Sequence, residues 1–390
     1  MIPEAASSRP TPPAFNRKSP LIAKIVRCEL LTEGCEEKET WHFEIDLQGS
    51  GLDYTPGDSM AILSQNDPAL VDEILNALDF SGEETVIDPG KVEKPIRQAL
   101  IESCVITQPD KKLLRALVDK ADGAAADIEQ LLEPDHKDAL ANFLWGREVI
   151  DLLKQFPSLK WEAQEFVSVL KKLNVRLYSI ASSLKANPNE CHLTVAVVKY
   201  NTHGRDRLGV CSSWLPYRTD ENTEVPCFIT PGKAFRLPDP DDDVPVIMCG
   251  PGTGIAPFRA YLQERQATKA KGKAWLFFGE IHEESCFFYR DEWEAYLADG
   301  TLDQLTTAWS RDQEEKIYIQ HKILEHGAEI WKWFQEGAIF YVCGDAERMA
   351  PDVDRALRQI VAEQGKMSEE EAAAWMEQFR IDKRYRRDVY

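Results

Sequence analysis

Between Leu21 and Leu63 apolar and polar residues alternate, first in Ala23-Lys24-Ile25-Val26-Arg27 and again in Thr40-Trp41-His42-Phe43-Glu44-Ile45-Asp46-Leu47. A period of two, broken at Gly49 and Gly51, predicts antiparallel strands. Thr55-Pro56-Gly57-Asp58 reads as a turn between two of them, a hairpin corner. At Asp67-Pro68 the period changes: Asp67 suits an N-cap and Pro68 the first helical position. Leu70, Ile74, Leu75 and Leu78 then mark one helical face. The same spacing returns at Leu113, Leu114, Leu117 and Val118, and through Leu140, Phe143, Leu144 and Ile150. Residues 68–170 therefore read as a helical insertion within an all-β domain. Strand character resumes at Val175 and continues through Cys191–Tyr200, Gly209–Leu215 and Val225–Ile229.

Pro238-Asp239-Pro240-Asp241-Asp242-Asp243 predicts an acidic linker and a domain boundary. Beyond it, strands are expected at Val244–Cys249, Ala274–Phe278, Gln304–Trp309 and Ala338–Cys343. Helices are expected at Pro257–Lys269, Asp291–Asp299, Lys316–Trp333 and Met349–Gln364. This alternation predicts a doubly wound parallel α/β sheet. The expected organisation is a tail over 1–20, an all-β domain from 21–67 and 171–238, a helical insertion over 68–170, and an α/β domain over 239–390.

Composition narrows the partners. With 390 residues, 43% hydrophobic and 29% charged, the chain has the make-up of a soluble globular protein of two or three domains. A formal net charge of −20 argues against nucleic acid or an anionic membrane as partner, while leaving room for a local basic pocket. No run of eighteen apolar residues exists to span a bilayer. Met1–Pro20 carries five prolines and no apolar signal core, so a disordered tail and a cytoplasmic location are expected. None of the nine cysteines pairs as C-x-x-C, which fits reduced structural thiols. His321 and His326 fall on one expected helix, but five residues apart they do not share a face. No metal is implied.

Chemistry gathers at a few places. In Arg176-Leu177-Tyr178-Ser179-Ile180-Ala181-Ser182-Ser183 a guanidinium suited to a diphosphate precedes, by two residues, a flat aromatic ring, and a small hydroxyl follows. These residues suit a flavin dinucleotide laid along a strand edge, and by themselves equally suit an ordinary amphipathic strand ending in a turn. In Val246–Phe258 a buried strand runs into Gly250, Gly252 and Gly254 and then a helix start, which favours a diphosphate. Trp309-Ser310-Arg311, with Lys316, Tyr318 and Gln320, offers the cationic and hydroxyl groups that accommodate a 2′-phosphate, although Glu314 and Glu315 leave a solvated loop open. Cys343 ends a strand at the edge that faces the ligand crevice in this architecture, and Tyr390, the last residue, is an aromatic able to cover a flat ring.

Taken together, Arg176–Ser183, Gly250–Phe258, Ala308–Gln313, Tyr341–Ala346 and Arg384–Tyr390 resemble the NADPH–flavin reductase module of the diflavin reductases, the group that includes cytochrome P450 reductase, and within it the sulfite reductase flavoproteins. The resemblance implies an FAD-binding antiparallel β-barrel carrying the helical insertion, followed by an NADPH-binding α/β domain, as in ferredoxin–NADP reductases. FAD would be held by Arg176, Leu177, Tyr178 and Ser179, by Thr194, Val195, Ala196 and Tyr200, by the loop Gly209-Val210-Cys211-Ser212, and by Thr107 and Trp145. NADPH would be held by Gly252, Thr253 and Gly254, by Ser310 and Arg311, by Lys316, Ile317, Tyr318, Ile319 and Gln320, and by Asp352. Ser179, Cys343 and Asp388 match residues beside the hydride-transfer centre, and Tyr390 matches the aromatic stacked on the flavin. Phe278-Gly279-Glu280-Ile281 departs from the Phe-Gly-Cys-Arg of P450 reductases. The flavodoxin-like FMN domain of that group has no counterpart in twenty proline-rich residues, so no FMN is expected on this chain.

The implied activity is electron transfer from NADPH through FAD to a separate one-electron acceptor. The leading acceptor is the haemoprotein of assimilatory sulfite reductase, which makes sulfide for cysteine biosynthesis, reached directly or through a flavodoxin- or ferredoxin-type carrier. A ferredoxin- or flavodoxin–NADP⁺ reductase is the alternative, and a non-catalytic NADPH-binding subunit a further one.

Overall fold

A computed structural model describes residues 15–232 and 234–390. Of the expected tail, residues 1–14 lie outside the described residues. Residues 15–20 are ordered instead: Asn16 and Ser19 exchange backbone hydrogen bonds of 3.1 Å, and the Asn16 Oδ1 accepts from the Lys18 N–H at 2.9 Å. No described helix is long and apolar enough to cross a membrane.

The described chain forms two compact units. The first comprises residues up to Ala61, Leu177–Ala196 and Asp220–Tyr390; the second comprises Ile62–Arg176 and Val197–Thr219. Residues 197–219 cluster with the helical insertion, and both flanks of the segment at 238–243 lie in the first unit, where it joins the antiparallel sheet to the parallel one. Its near flank is packed down. Just before the linker, Phe235 lies among the rings of Phe258, Tyr261 and Tyr341 at 5.4–6.0 Å, and the Arg236 guanidinium donates to the carbonyls of Thr55 and Pro56 at 3.1 Å.

In the first unit the alternating residues form strands β1 (Leu21–Leu30), β2 (Thr40–Asp46), β3 (Ser59–Ile62), β4 (Arg176–Ser179), β5 (Glu190–Ala196) and β6 (Glu224–Thr230), in spatial order β4-β3-β6-β1-β2-β5. The pairs β1–β6, β1–β2 and β2–β5 are antiparallel. A bridge between Ile180 and Leu193 joins the two edge strands and closes the sheet into a barrel. Thr55–Asp58 does turn, with the Asp58 N–H donating to the Thr55 carbonyl at 2.9 Å, but it is not a hairpin corner. Strands β6 and β1 lie between β3 and β2. The Asp58 carboxylate is held by the Gly232 N–H at 2.8 Å and by Arg236, which draws the turn toward the segment after β6. Gly57, at φ +93°, is required here, because a Cβ would sit 1.8 Å from the Phe235 carbonyl oxygen.

The same unit carries the parallel sheet, β7 (Val246–Cys249), β8 (Ala274–Glu280), β9 (Gln304–Trp309), β10 (Ile339–Gly344) and β11 (Tyr385–Val389), in order β9-β8-β7-β10-β11. The fifth strand, β11, and helix Glu369–Ile381 before it escaped the sequence reading. The helix expected over Lys316–Trp333 is two, Ile319–Glu325 and Gly327–Gln335, so His321 and His326 are not on one helix. Gly327 packs so tightly against Ile360 that a Cβ would stand 3.1 Å from it.

Strands β2 and β5 bury a polar group. His42 and His192 lie edge to face with centroids 5.1 Å apart, and with Glu44 they are the one set of three metal-capable side chains among the described residues. The Arg259 guanidinium donates to the His192 Nδ1 at 3.0 Å, so the neutral ring carries its proton on Nε2, which points at Glu190 at 3.1 Å. That nitrogen is thus committed as a donor, and no metal is assigned. Burial first, and then Arg259, lowers the His192 pKa to about 3.

The second unit has its own core, built on helices Pro68–Leu78, Lys111–Ala121 and Val149–Gln155 among others. Asp67 caps the first of these, accepting from the Ala69 N–H at 2.9 Å, as its position before Pro68 predicts. Gly209–Leu215, expected as strand, is the start of helix Val210–Arg218. Val210, Cys211, Trp214 and Leu215 are all buried, and an apolar run this short does not separate helix from strand by period. Ahead of the helix, Lys199–Thr202 and Arg205–Leu208 form a hairpin. It inserts Arg207, whose side chain is fully buried and donates to Glu148 at 2.7 Å and Asp151 at 2.6 Å.

Two outcomes follow. Arg207→Ala leaves buried carboxylates without their counter-charge, and urea unfolding should record a loss of about 3–5 kcal/mol, partly recovered in Arg207→Lys. His192, with a folded pKa near 3 against an ordinary value of 6.5, binds a proton in the unfolded state first. Stability should therefore fall as pH drops from about 6.5 toward 3, and His192→Asn should flatten that slope in denaturant titrations across the range.

Candidate active site

Strand β11 pairs with β10 in parallel, with Cys343 opposite Asp388 and Gly344 opposite Val389. This register brings two side chains from the sheet edge to Ser179 at the end of β4. The Ser179 hydroxyl donates to the Asp388 Oδ2 at 2.9 Å, and the Cys343 thiol lies 3.9 Å from the same oxygen. Cys343 is fully buried. Desolvation, and then the neighbouring Asp388 charge, push its pKa well above the ordinary thiol value, so it is a neutral S–H donor rather than a thiolate. Tyr390 is fastened in place: its N–H donates to the Gly344 carbonyl at 3.1 Å and its carbonyl accepts from Ala346 at 3.1 Å. Its phenol oxygen lies 3.2 Å from the Thr253 Oγ1, and its side chain remains 64% exposed. Ser179, Cys343 and Asp388 thus meet at one carboxylate, and Tyr390 directly follows the strand that carries Asp388.

A cavity of about 450 Å³ opens at the C-terminal ends of β7, β8 and β9, where α/β sheets bind ligands. Gly252, Ser310, Ile317, Tyr318, Ile319, Gln320 and Asp352 line it. The Gln320 amide donates to Asp352 at 3.1 Å, which orients both. Gly254 lies so close to β10 that a Cβ would be 2.1 Å from the Cys343 carbonyl oxygen, so glycine is needed there to seat the turn. Thr253, Gly254, Arg311 and Lys316 are outside the lining; Arg311 and Lys316 are exposed beside it. The volume, the glycine turn and the hydroxyl and amide donors fit a nucleotide.

Four charged residues of the lining were missed, Lys38, Glu280, Asp345 and Arg348, the first two of them as an ion pair. Glu280 is buried at the end of β8, and Lys38, from the loop between β1 and β2, pairs with it. Glu280 had a signal, since it stands in the Phe278–Ile281 departure from the P450 reductase pattern. Lys38 had none: it arrives from a non-periodic acidic loop more than two hundred residues away in sequence.

The remaining expected FAD contacts divide between the units. On the barrel, Leu177 is exposed and Tyr178, Ser179 and Ala196 are half-buried. Thr194 and Val195 are buried; the Thr194 hydroxyl lies 2.7 Å from that of Tyr289, so neither side chain is presented outward. In the second unit, Thr107, Trp145 and Tyr200 line one cavity of about 450 Å³, with Trp145 70% exposed. Gly209 is the N-cap of helix Val210–Arg218, and the Ser212 Oγ accepts from the Val198 N–H at 3.2 Å. Val210, Cys211 and Ser212 are buried in its first turn, and the half-buried Arg176 donates to the Asn174 carbonyl at 3.3 Å. A helix N-terminus, a guanidinium and exposed flat rings are the donor set that an aromatic dinucleotide requires.

Comparison with known proteins bears on this geometry. The pattern of the oxidoreductase NAD-binding domain matches residues 248–355. A sulfite reductase [NADPH] flavoprotein alpha-component of Bacillus subtilis (strain 168) is 43% identical over 388 residues, covering 99% of this chain and 64% of that protein. The protein of that name from Photorhabdus laumondii is 44% identical over 377 residues, covering 97% of this chain and 62% of its own length. One from Escherichia coli O139:H28 is 42% identical over 378 residues, covering 96% of this chain and 62% of its own length. The chain thus spans just under two thirds of the length of these relatives. The pattern of the FAD binding domain matches residues 13–214, more than half of the chain, and the chain belongs to the FAD binding domain family.

Proposed function

We propose that the chain is the NADPH-dependent FAD reductase component of an assimilatory sulfite reductase, delivering electrons to a separate haemoprotein. The convergence of Ser179 and Cys343 on the Asp388 carboxylate, two residues before the fastened Tyr390, carries this reading. The family supplies the flavin, and the names of the relatives supply NADPH and sulfite. Bound FAD would supply the chemistry, hydride acceptance from NADPH and release of the two electrons one at a time.

The protein's part is alignment and proton control. Tyr178 and Tyr390 supply flat rings, and Tyr390 yields its place to the nicotinamide. Ser179 offers a hydroxyl already polarised by Asp388, and Asp388 Oδ2 is the atom at which a proton is taken up or released. Cys343, kept neutral, donates to that oxygen and adds no negative charge beside an anionic cofactor. Ser310 and Arg311 take the 2′-phosphate end, while Gly252, Thr253 and Gly254 take the diphosphate. Arg176 and the Gly209–Ser212 helix start serve the FAD diphosphate, and Thr107, Trp145 and Tyr200 serve the rest of that cofactor. Nine free thiols and a requirement for NADPH suit a cytoplasmic setting.

The purified protein should be yellow and should bleach on adding NADPH without air. Mixed with a sulfite reductase haemoprotein, it should then support sulfite reduction. If that fails while a flavodoxin or ferredoxin is reduced quickly, the protein is instead a reductase of that carrier; a colourless preparation makes it neither. Asp388→Ala and Ser179→Ala should each slow NADPH-dependent flavin reduction about 10²-fold in stopped-flow measurements. The double variant should lose much less than the product of the two, because both act through one hydrogen bond.

A further inference from the structure

The loop between β1 and β2 places two consecutive opposite charges at the nucleotide cavity. Lys38 enters the lining and pairs with the buried Glu280; its ammonium stands 3.4 Å from where a Gly252 Cβ would be. Glu37, the residue before it, lies outside the lining, where one carboxylate oxygen accepts from the exposed Arg311 and the other lies 3.0 Å from the His282 Nε2. His282 is held in turn by Asp312, its Nδ1 2.8 Å from the Asp312 Oδ1. The Arg311 guanidinium, assigned above to the 2′-phosphate, is thus engaged by an anion of the protein's own. Glu37 is also an effective anion, because the hydrogen bond with His282, and then that from Arg311, hold its pKa below the ordinary carboxylate value.

We propose that Glu37 is a built-in competitor that tempers nucleotide selectivity: its carboxylate occupies Arg311 in place of the 2′-phosphate and must be displaced for that phosphate to bind. The inference rests on the reading of the cavity as an NADPH site. A dianionic phosphate with three acceptor oxygens outcompetes a single carboxylate for a guanidinium, whereas a nucleotide with a free 2′-hydroxyl does not. Glu37 therefore weakens the binding of a 2′-phosphorylated nucleotide, leaves one with a free 2′-hydroxyl untouched, and so narrows the preference between them. Lys38, anchored on Glu280, fixes the backbone that presents Glu37 and is its positioning residue.

Calorimetric titration of the FAD-loaded protein with 2′,5′-ADP and with 5′-AMP tests this without turnover. Glu37→Gln should tighten 2′,5′-ADP about two- to five-fold, the range expected for removing one exposed ion pair, and leave 5′-AMP unchanged. Glu36→Gln, the same charge change at the neighbouring exposed position, should alter neither. If wild-type protein prefers 2′,5′-ADP but Glu37→Gln binds it no more tightly, the role of Glu37 is overturned and the cavity assignment stands. An equal gain for 5′-AMP, or for Glu36→Gln, reduces the effect to net charge and also overturns it. If wild-type protein shows no preference for 2′,5′-ADP, the cavity assignment itself fails and the proposal with it.

Discussion

The register between β10 and β11 is the constraint on which the active site depends. Side chains along a strand alternate between faces, so sliding β11 by one residue would turn Asp388 away from Ser179 and bring Arg387 or Val389 into its place. Parallel pairing alone does not choose between these registers; packing does. Tyr385 is buried against Phe340 and Phe379, with ring centroids at 6.0 and 6.4 Å. At one end of the strand the Phe340 N–H donates to the Arg384 carbonyl at 2.7 Å, and the Arg384 guanidinium holds the Ala338 carbonyl at 3.1 Å. At the other, Tyr390 is bonded to Gly344 and Ala346. A buried ring thus sets the phase, and the polar contacts on either side prevent a slip.

The second constraint is electrostatic. A chain with a net charge of −20 has to receive polyanionic cofactors, and long-range attraction cannot help it. What it offers is local: backbone N–H groups at the starts of helices, a guanidinium at Arg311 and an ammonium at Lys38. Placing the buried Glu280 beside the Gly252 turn runs against this logic until Lys38 is included, since a lone carboxylate there would repel a diphosphate. The pair leaves the turn electrically neutral and lets the N–H groups act. The same economy appears at Arg259, where one buried guanidinium serves Glu292, the Ala181 carbonyl and His192 at once.

Legibility in the sequence followed the strength of local signals. Period-two alternation located β1 and β2, and the Asp67-Pro68 pair located its helix start, because each is decided within a few residues. The β7–β10 strands were readable as short apolar runs bounded by glycine or charge. Helix Val210–Arg218 was not, since an apolar run buried on every side carries no period, and β11 was not, since Tyr-Arg-Arg-Asp-Val looks like a frayed end until Tyr385 finds its core. At the site, Ser179, Cys343, Asp388 and Tyr390 were singled out through resemblance; no spacing in the chain announces that residues 179 and 388 share a hydrogen bond. Lys38 and Glu37 were invisible, because their meaning comes wholly from groups far along the chain. Thr194, singled out through the same resemblance, has its hydroxyl engaged with Tyr289, which no spacing in the chain announces either.

All four residues assigned to the reacting centre lie in one compact unit, which contains both the barrel and the parallel sheet. Under the proposed function that matters, because a hydride transfer depends on holding two rings within a fraction of an ångström of alignment. The segment that sequence composition marks as a linker, 238–243, is flanked by the packed Phe235 and Arg236 on one side and by the buried strand β7 on the other. The helical unit, with its own core around Leu113, Ile150 and Phe166 and its own buried Arg207, is stabilised separately.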